Sequence, residues 1–584
     1  MILQALKEYY DRKANDPASG IAPNGWEWRP IHYIIVLDKD GIPVGIEKMI
    51  EGTGKKMTVK SFLVPKGVKR TSGINSSLLC ENPEYAIGVE LNPKKPAAEK
   101  HKAFLAKLDE LGEVNDAGLR ALKLFCRLPF EEKAAKLSVF PDSWEAIQAG
   151  KNVNIAFQLQ GETEIVARSP AVRNAIDKMN VSSGGDDYCL VTGEPDAIEK
   201  THPSIKGVRG GNPTGTNIVS FNMRSVESFG KEQGENAPVG SRSAFAYTTA
   251  LNTLLGKDSL NNLTVGDATT VFWSEKPTEL ETNFPRFFRE PPKDDPDQGI
   301  KAVRALFESI HTGAYTEDQK KIRFFVLGLA PNAARIMIRF WIVSTVGEMS
   351  ENIKQFFDDT EIIHGSSSPD RLSLFRLLVS TAVQRKAENI PPNVEGDFVR
   401  AILQGLPYPL TLLSAAVRRN RAERDVNYER AALIKACLNR SLKTKSLSSE
   451  SIEQEELTVS LNQQNTNIGY VLGRLFAVLE KLQRDANPGI NATIRDRYYG
   501  AASGTPLTAF PNLLRLKNHH LSKLTSERTR VYYEKLLTEV LSLIDDFPGH
   551  LSLADQGRFA IGYYHQIQEF YKKRSKDEEI HETN

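Results

Sequence analysis

NIGYVLGRLFAVLEKLQ, residues Asn467–Gln483, sets Ile468, Val471, Leu472, Leu475, Leu479 and Leu482 at helical spacing on one side of the chain. Steps of three and four residues return a side chain to the same face of an α-helix, so the stripe marks a helix that buries that face in a bundle. The helical pattern is read from Val459 to Arg484 and stops at Pro488 and Gly489. A second stripe, Tyr533, Leu536, Leu537, Val540, Leu541 and Ile544, ends in the same way at Pro548 and Gly549.

Toward the amino terminus, HGSSSPD at His364–Asp370 interrupts the pattern, with Ser368 and Pro369 read as an N-cap and a first-turn proline. Three regions result: residues 1–367, a helical connection over 368–458, and a helical bundle over 459–584. The first region reads differently. Ile31–Leu37 is a strand ending in the turn DKDG, Val44–Ile50 and Met57–Val64 continue an antiparallel meander through EGTGKK, and Asn154–Gln158, Ile218–Phe221 and Thr269–Trp273 are further strands. Helical patterns occupy His101–Leu111, Glu113–Leu128 and Ala171–Met179. Arg335–Val343 alternates, with Ile336, Ile338, Phe340 and Ile342 on a core face and Arg335, Met337, Arg339 and Trp341 opposite. The fold class is therefore α+β: a mixed or antiparallel sheet region followed by a carboxy-terminal helical bundle.

The stretch HPSIKGVRGGNPTGTNIVSFN, His202–Asn222, is built from loop chemistry. Its glycines let the backbone approach a partner closely, while Lys206, Arg209, Asn212, Thr214 and Asn217 bring cationic and neutral hydrogen-bonding groups suited to phosphates and base edges. Around it, Lys200–Lys257 holds seven Lys or Arg against three Glu. Two more basic regions lie in the helical part: nine cations against three acids over Arg418–Lys445, and seven against two over Asn491–Arg530. Three such regions in a chain of net charge +2 point to an extended anionic partner.

Other chemistries find little support. The cysteines Cys80, Cys126, Cys189 and Cys437 are scattered, without zinc or disulfide spacing, which fits a reducing cytoplasm. The amino terminus reads as a short amphipathic helix, and no apolar run is long enough to span a bilayer. EGTGKK lacks the rest of a phosphate-binding loop, Asp186 and Asp187 read as a turn, and no nuclease, hydrolase or metalloprotease pattern is present, so no cofactor or metal is expected.

YCLVTGEPDAIEKTHPSIKGVRGGNPTGTN and the residues after it to Leu255 resemble the central signature of the large subunit of the type I-C CRISPR Cascade complex. RTSGINSSLLCENPEYAIG at Arg70–Gly88, VFWSE at Val271–Glu275, VLGLAPNAARIMIRFW at Val326–Trp341 and the opening stretch at Asn467–Gln483 carry the same resemblance along essentially the whole chain. It implies a non-catalytic subunit that sits near the handle of the guide RNA and contacts the backbone and handle-binding subunits. Such a subunit inspects the protospacer-adjacent motif in target double-stranded DNA, largely from the minor groove, helps open the duplex, and supports recruitment of a helicase-nuclease. On this reading Lys206, Arg209, Asn212, Thr214 and Asn217 contact the motif, and Arg70 with Asn75 form a second set facing handle or motif. Arg495, Arg497, Tyr498, Arg515 and Lys517 line a path for the displaced single strand or guide backbone. The resemblance also implies a separate small subunit like the carboxy-terminal helices, made from an internal start near Val459. Met349 is the last methionine, so that start needs a non-ATG codon. The competing readings are a metal-dependent nuclease with a dispersed acidic site and a purely structural member of the assembly.

Overall fold

The computed structural model describes residues 1–572 apart from 53–56, 69–72, 92–95, 151–152, 182–184, 186, 290–300, 302–304, 306–316, 334 and 447–456. The chain forms two compact units. The first is Met1–Gly207, Gly211–Lys257 and Pro331–Ile336; the second is Val208–Gly210, Asp258–Ala330 and Met337–Asn584. The divisions expected at 367 and 458 are not where the chain separates. A single apolar cluster runs from Leu263 and Phe272 through Phe356, Leu433 and Phe476 to Tyr564, joining the sheet and helices of the second unit without a break.

The first unit carries strands β1 (Trp26–Pro30), β2 (Tyr33–Leu37), β3 (Pro43–Lys48), β4 (Ile50–Glu51), β5 (Thr58–Val59), β6 (Ser61–Pro65) and β7 (Ile155–Leu159). β2 is central in a three-stranded mixed sheet, antiparallel to β3 and parallel to β7. The expected meander is only partly realised: β4 pairs with β5, residues 53–56 between them lie outside the described residues, and β6 pairs with β1. β2 is buried at Tyr33, Ile34, Ile35 and Leu37, as befits a strand with neighbours on both edges. The DKDG turn behaves as read, since Asp38 Oδ1 accepts the N–H groups of Asp40 (2.9 Å) and Ile42 (2.8 Å). Gly41 there has φ +78°, and a Cβ on it would lie 2.7 Å from the Ala121 carbonyl, so glycine is required twice over.

Besides a single helical turn at Pro83–Ala86, seven helices are described in this unit: α1 (Ile2–Ala14), α2 (Ala97–Asp109), α3 (Ala117–Arg127), α4 (Phe130–Leu137), α5 (Pro141–Ala149), α6 (Pro170–Val181) and α7 (Ser241–Leu254). Phe104, Leu108, Leu122, Phe125 and Ile147 pack with Ile34, Ile35 and Phe157 of the sheet. α1 is amphipathic as expected, burying Leu6, Tyr9 and Tyr10, and the Tyr10 ring meets Phe245 of α7 edge-on at 5.7 Å. Ile218–Phe221 is not a strand. Its neighbours Thr216 and Asn217 form only isolated bridges, to Ile205 and Arg335, and no ladder extends from them.

A four-stranded sheet, in the second unit except for Pro331–Asn332 and Arg335–Ile336, has the order β11-β10-β9-β8, from β8 (Asn262–Val265), β9 (Ala268–Ser274), β10 (Arg323–Asn332) and β11 (Arg335–Thr345). β9 is buried throughout. β11 is an edge strand, and its apolar face is covered only in part: Ile342 is buried and Phe340 packs on the core, while Ile338 is 40% exposed. Trp341, expected to stand out on the opposite face, stacks parallel to Phe325 at 5.6 Å.

Besides a short helix at Glu317–Lys320, the helices described in this unit are α8 (Glu279–Phe288), α9 (Val346–Asp359), α10 (Leu374–Thr381), α11 (Pro392–Leu403), α12 (Leu410–Glu423), α13 (Tyr428–Ser446), α14 (Ile468–Ala486), α15 (Ile494–Gly504), α16 (Pro506–Lys523), α17 (Glu527–Leu541) and α18 (Leu553–Tyr571). α10 is capped by Ser373, whose Oγ accepts from the Arg376 N–H, so Ser368 and Pro369 are not its cap. α14 starts at Ile468, not Val459, because Asn467 Oδ1 takes the N–H groups of Gly469 and Tyr470. α14 is buried nearly all round, from Gly469 to Leu482.

Its closest neighbour is α18. A Cβ on Gly473 would lie 2.1 Å from the Phe559 carbonyl oxygen and 2.8 Å from the Tyr563 nitrogen; one on Gly562 would lie 2.0 Å from the Tyr470 carbonyl. Beside this contact, buried His565 meets the Tyr470 hydroxyl through Nδ1 at 3.0 Å. Burial, with Lys435 adding to it, pushes the His565 imidazole from 6.5 down to about 3.

Gly473→Ala is expected to destabilise the second unit by at least ~2 kcal/mol in urea unfolding, despite alanine's better helix propensity, because backbone atoms block the methyl. His565 stays neutral in the native state while the unfolded chain protonates it below 6.5, so stability falls as pH drops from 6.5 toward 3. His565→Gln should flatten that part of the stability–pH profile by on the order of 4 kcal/mol, read by denaturant titration at each pH.

Candidate nucleic-acid interface

The glycine-rich loop is closed at its base. Ile205 and Thr216 exchange both backbone hydrogen bonds at 2.8 Å, and Gly207 and Gly215 reach φ +90° and +103° against Leu255 and Ser204. α7 holds it from below: Asn252 Oδ1 accepts from the Lys206 N–H (2.8 Å), Asn252 Nδ2 donates to the Ser204 carbonyl, and the Tyr247 hydroxyl meets buried His202 Nδ1 at 2.6 Å. Asn212 Oδ1 accepts from both the N–H and the hydroxyl of Thr214, folding the tip. The backbone of this loop is thus set by interior hydrogen bonds, while the side chains of Lys206, Asn212 and Thr214 are exposed.

Asn217 has a different role. Its Nδ2 donates to the carbonyls of His202 and Pro203 at 2.9 and 3.1 Å, so this side chain ties the loop ends together instead of facing outward. Arg209, in the short piece that belongs to the second unit, also has an exposed side chain, with its N–H on Thr269 Oγ1 at 2.9 Å.

For the second set, Arg70 lies outside the described residues, and Asn75 is exposed. The turn just after Asn75 is shaped by a carboxylate that sequence reading missed. Buried Glu81 accepts the N–H of Ser77 at 2.7 Å and that of Asn82 at 3.0 Å. Its signal was the polar run NSS with an acid close behind it, which implies a local side-chain-to-backbone turn.

In the helical regions part of the basic count is taken up by internal pairs. Arg430 is fully buried and pairs with Glu423 and Asp425; Arg440 donates to buried Asp359 at 3.1 Å, where the Tyr408 hydroxyl also binds at 2.9 Å. Arg419 sits on Glu423, and Lys435 Nζ donates to the Asp359 carbonyl. Arg495 belongs with this interior, 3.3 Å from Asp425 and 3.8 Å from Glu480, so it is withdrawn from the expected strand path. Glu480 is wholly buried and is further held by the Tyr563 hydroxyl (2.6 Å), Arg484 (2.6 Å) and Thr493 (3.0 Å). The reason is electrostatic: a carboxylate inside a bundle draws nearby cations inward, because an unpaired buried charge is costly. Arg497 and Arg515 remain exposed, Lys517 is half-buried, and Tyr498 packs on the core.

The cationic face expected on β11 is likewise engaged: Arg339 pairs with Asp267, and within the first unit Arg335 donates to Asn222 Oδ1 at 2.8 Å. Among the described residues no group of three or more His, Cys, Asp or Glu converges to hold a metal, and no helix is long and apolar enough to cross a membrane. Asp186 lies outside the described residues, so the Asp186–Asp187 turn is seen only at Asp187.

No curated protein matches this chain significantly. Residues 6–571 match the family model described as CRISPR-associated protein (Cas_Csd1), nearly the full length. The chain therefore belongs to that family, as a large subunit of the type I-C Cascade complex.

Proposed function

We propose that the chain is the non-catalytic large subunit that reads the protospacer-adjacent motif in target duplex DNA, assists its opening and R-loop formation beside the guide RNA, and supports recruitment of the helicase-nuclease. The observation that carries this reading is the loop Ile205–Thr216: its backbone is fixed by α7 and its own bridge, and Lys206, Asn212 and Thr214 are left exposed. A reader of a narrow groove needs this combination, since a backbone held in place before contact loses little freedom on binding. Lys206 serves a phosphate, and Asn212 and Thr214 probe base edges. Arg209 is a separate exposed cation available to DNA or guide backbone. Asn75 remains a candidate in the second set, and Arg497, Arg515 and Lys517 remain candidates for the displaced strand.

The proposal also includes a separately made small subunit of about Val459–Asn584. In the full chain Gly557 of α18 lies against Ile434, Leu438 and Leu413, so the fragment would uncover an apolar strip there. Burial of that strip against a neighbouring subunit gives such a fragment a reason to assemble.

Within the purified assembly, Lys206→Ala should weaken duplex binding for every flanking sequence and lower the salt slope by about one. Asn212→Ala should reduce discrimination between cognate and scrambled motifs by about 1–3 kcal/mol. If both variants match the parent in affinity, salt slope and discrimination, the loop is not the reader. With Mg²⁺ and target but without the helicase-nuclease, DNA should stay intact; nicking would favour the nuclease reading. Intact-mass analysis of the assembly is expected to find a ~14 kDa product by chain length, and its absence would rule out the separate small subunit.

A further inference from the structure

Helix α10 turns one face to a cavity of about 160 Å³. Phe375, Arg376, Val379 and Ser380, at positions i, i+1, i+4 and i+5, line it together with Arg385 from the turn that follows and Glu429 from the first turn of α13. All six belong to the second unit. The walls are held from behind. The Ser380 hydroxyl donates to the Leu377 carbonyl at 2.7 Å, and the Ser380 carbonyl accepts from the wholly buried Arg430 at 3.4 Å. Asn427 Oδ1 takes the Arg430 N–H (2.9 Å) and the Tyr428 hydroxyl donates to the Pro369 carbonyl (3.1 Å), which fixes the start of the helix that carries Glu429.

The turn that supplies Arg385 is strained. Gln384 and Arg385 have φ +58° and +52°, and the Lys386 N–H donates to the Val383 carbonyl at 3.3 Å. Positive φ at both central residues is the mark of a type I′ turn, which suits Gly, Asn or Asp and not these two side chains. Asn389 maintains it, donating from Nδ2 to the Val383 carbonyl (2.9 Å) and from its N–H to the Lys386 carbonyl (3.0 Å). Backbone strain kept up in this way belongs to ligand clamps, and here it delivers a guanidinium to the cavity wall.

Size, ring and charge together limit the occupant. A cavity of roughly 150 Å³ holds one six-membered ring, so the space suits a pyrimidine better than a purine. Phe375, 38% exposed, offers an aromatic surface for a base to stack on. Two guanidinium groups against one carboxylate favour an anion, and arginine engages phosphate in a bidentate way. The ionised Glu429 carboxylate can only accept hydrogen bonds, which selects a ring bearing an amine: cytosine presents N4–H₂ where thymine and uracil present the O4 acceptor. An acidic side chain of a protein partner would answer the arginines, but it would leave Phe375 and Val379 uncovered and meet Glu429 as a like charge.

We propose that this cavity binds an unstacked cytosine of a single-stranded polynucleotide, with Phe375 stacked on the base, Glu429 accepting from its N4 amine, and Arg376 and Arg385 on the flanking phosphates. The site shares no residue with the loop Ile205–Thr216 and does not rest on motif reading.

Fluorescence anisotropy of the full chain with labelled single-stranded hexanucleotides tests it. Hexamers of cytosine, as DNA or as RNA, should bind about tenfold more tightly than those of thymine or uracil. Glu429→Ala should remove that preference without weakening the thymine hexamer, and Phe375→Ala should weaken the cytosine hexamer about tenfold. Arg385→Gly should weaken hexamers of both bases yet unfold no more easily than the parent, because glycine accepts the positive φ, so lost binding is not lost folding. Equal affinity of the parent for cytosine and thymine, or unchanged cytosine binding in Phe375→Ala, overturns the proposal. So does displacement of the cytosine hexamer by hexaglutamate as readily as by unlabelled hexamer. No duplex is present in this measurement, so its failure is distinguishable from failure of motif reading. In the target-bound assembly, 5-iodocytosine placed throughout the displaced DNA strand or throughout the guide RNA should on irradiation give an adduct at Phe375 from one of the two, which identifies the source; no adduct from either overturns the proposal as well.

Discussion

Backbone meets backbone where α14 crosses α18, at Gly473 and Gly562, and the second unit is arranged around that contact. Without side chains between them the two helices approach until main-chain atoms touch, and the residues on either side, Phe476, Tyr499, Phe559 and Tyr563, close into one aromatic cluster with ring centroids 5.7 to 6.0 Å apart. Packing at interior density leaves no room for a methyl group at the crossing. The same closeness encloses α14, which explains why its charged residues must find partners inside the protein.

Those partners account for much of the bundle's chemistry. Glu480 and Arg474 are fully buried on α14, and each is met by several polar groups: Tyr563, Arg484, Thr493 and Arg495 for the carboxylate, Glu539, Gln566 and the Gln463 carbonyl for the guanidinium. Asp359 plays the same part for Arg440, Tyr408 and Gln355. Replacing one member leaves another charge buried without compensation, so such networks fix the relative placement of helices more than they add to net stability. Part of the cation cluster in the linear sequence, Arg419, Arg430, Lys435, Arg440 and Arg495, thus became an internal frame.

Exposed chemistry in the first unit obeys another rule. In the loop Ile205–Thr216 and the turn Ser228–Lys231 the hydrogen bonds of the backbone are directed inward, to Asn252 in one and Asn236 in the other, and selected side chains are left outward. Two half-buried asparagines used as braces, one under a polar loop and one under an aromatic, give two presentations within about thirty residues of chain. Rigid display of this kind suits recognition by a subunit whose partners are already assembled.

Local periodicity and turn chemistry settled a good part of this protein from the sequence alone. The stripes of α14 and α17, the DKDG turn, the strands at Tyr33–Leu37, Ile155–Leu159 and Ala268–Ser274, and the glycine-rich loop all depend on residues close together in the chain. The long ordered motifs that carry the family resemblance were equally legible. What the tertiary structure alone decided is pairing at a distance: β2 beside β7 across more than a hundred residues, β6 on β1, a single core spanning the expected boundaries, and the fate of each charge. Arg495 and Arg497 look alike as letters, yet one faces Asp425 and Glu480 while the other faces water. Asn212 and Asn217 differ in the same way. A side chain's direction is set by which element packs over it, and that is a property of the folded whole that no window along the sequence contains.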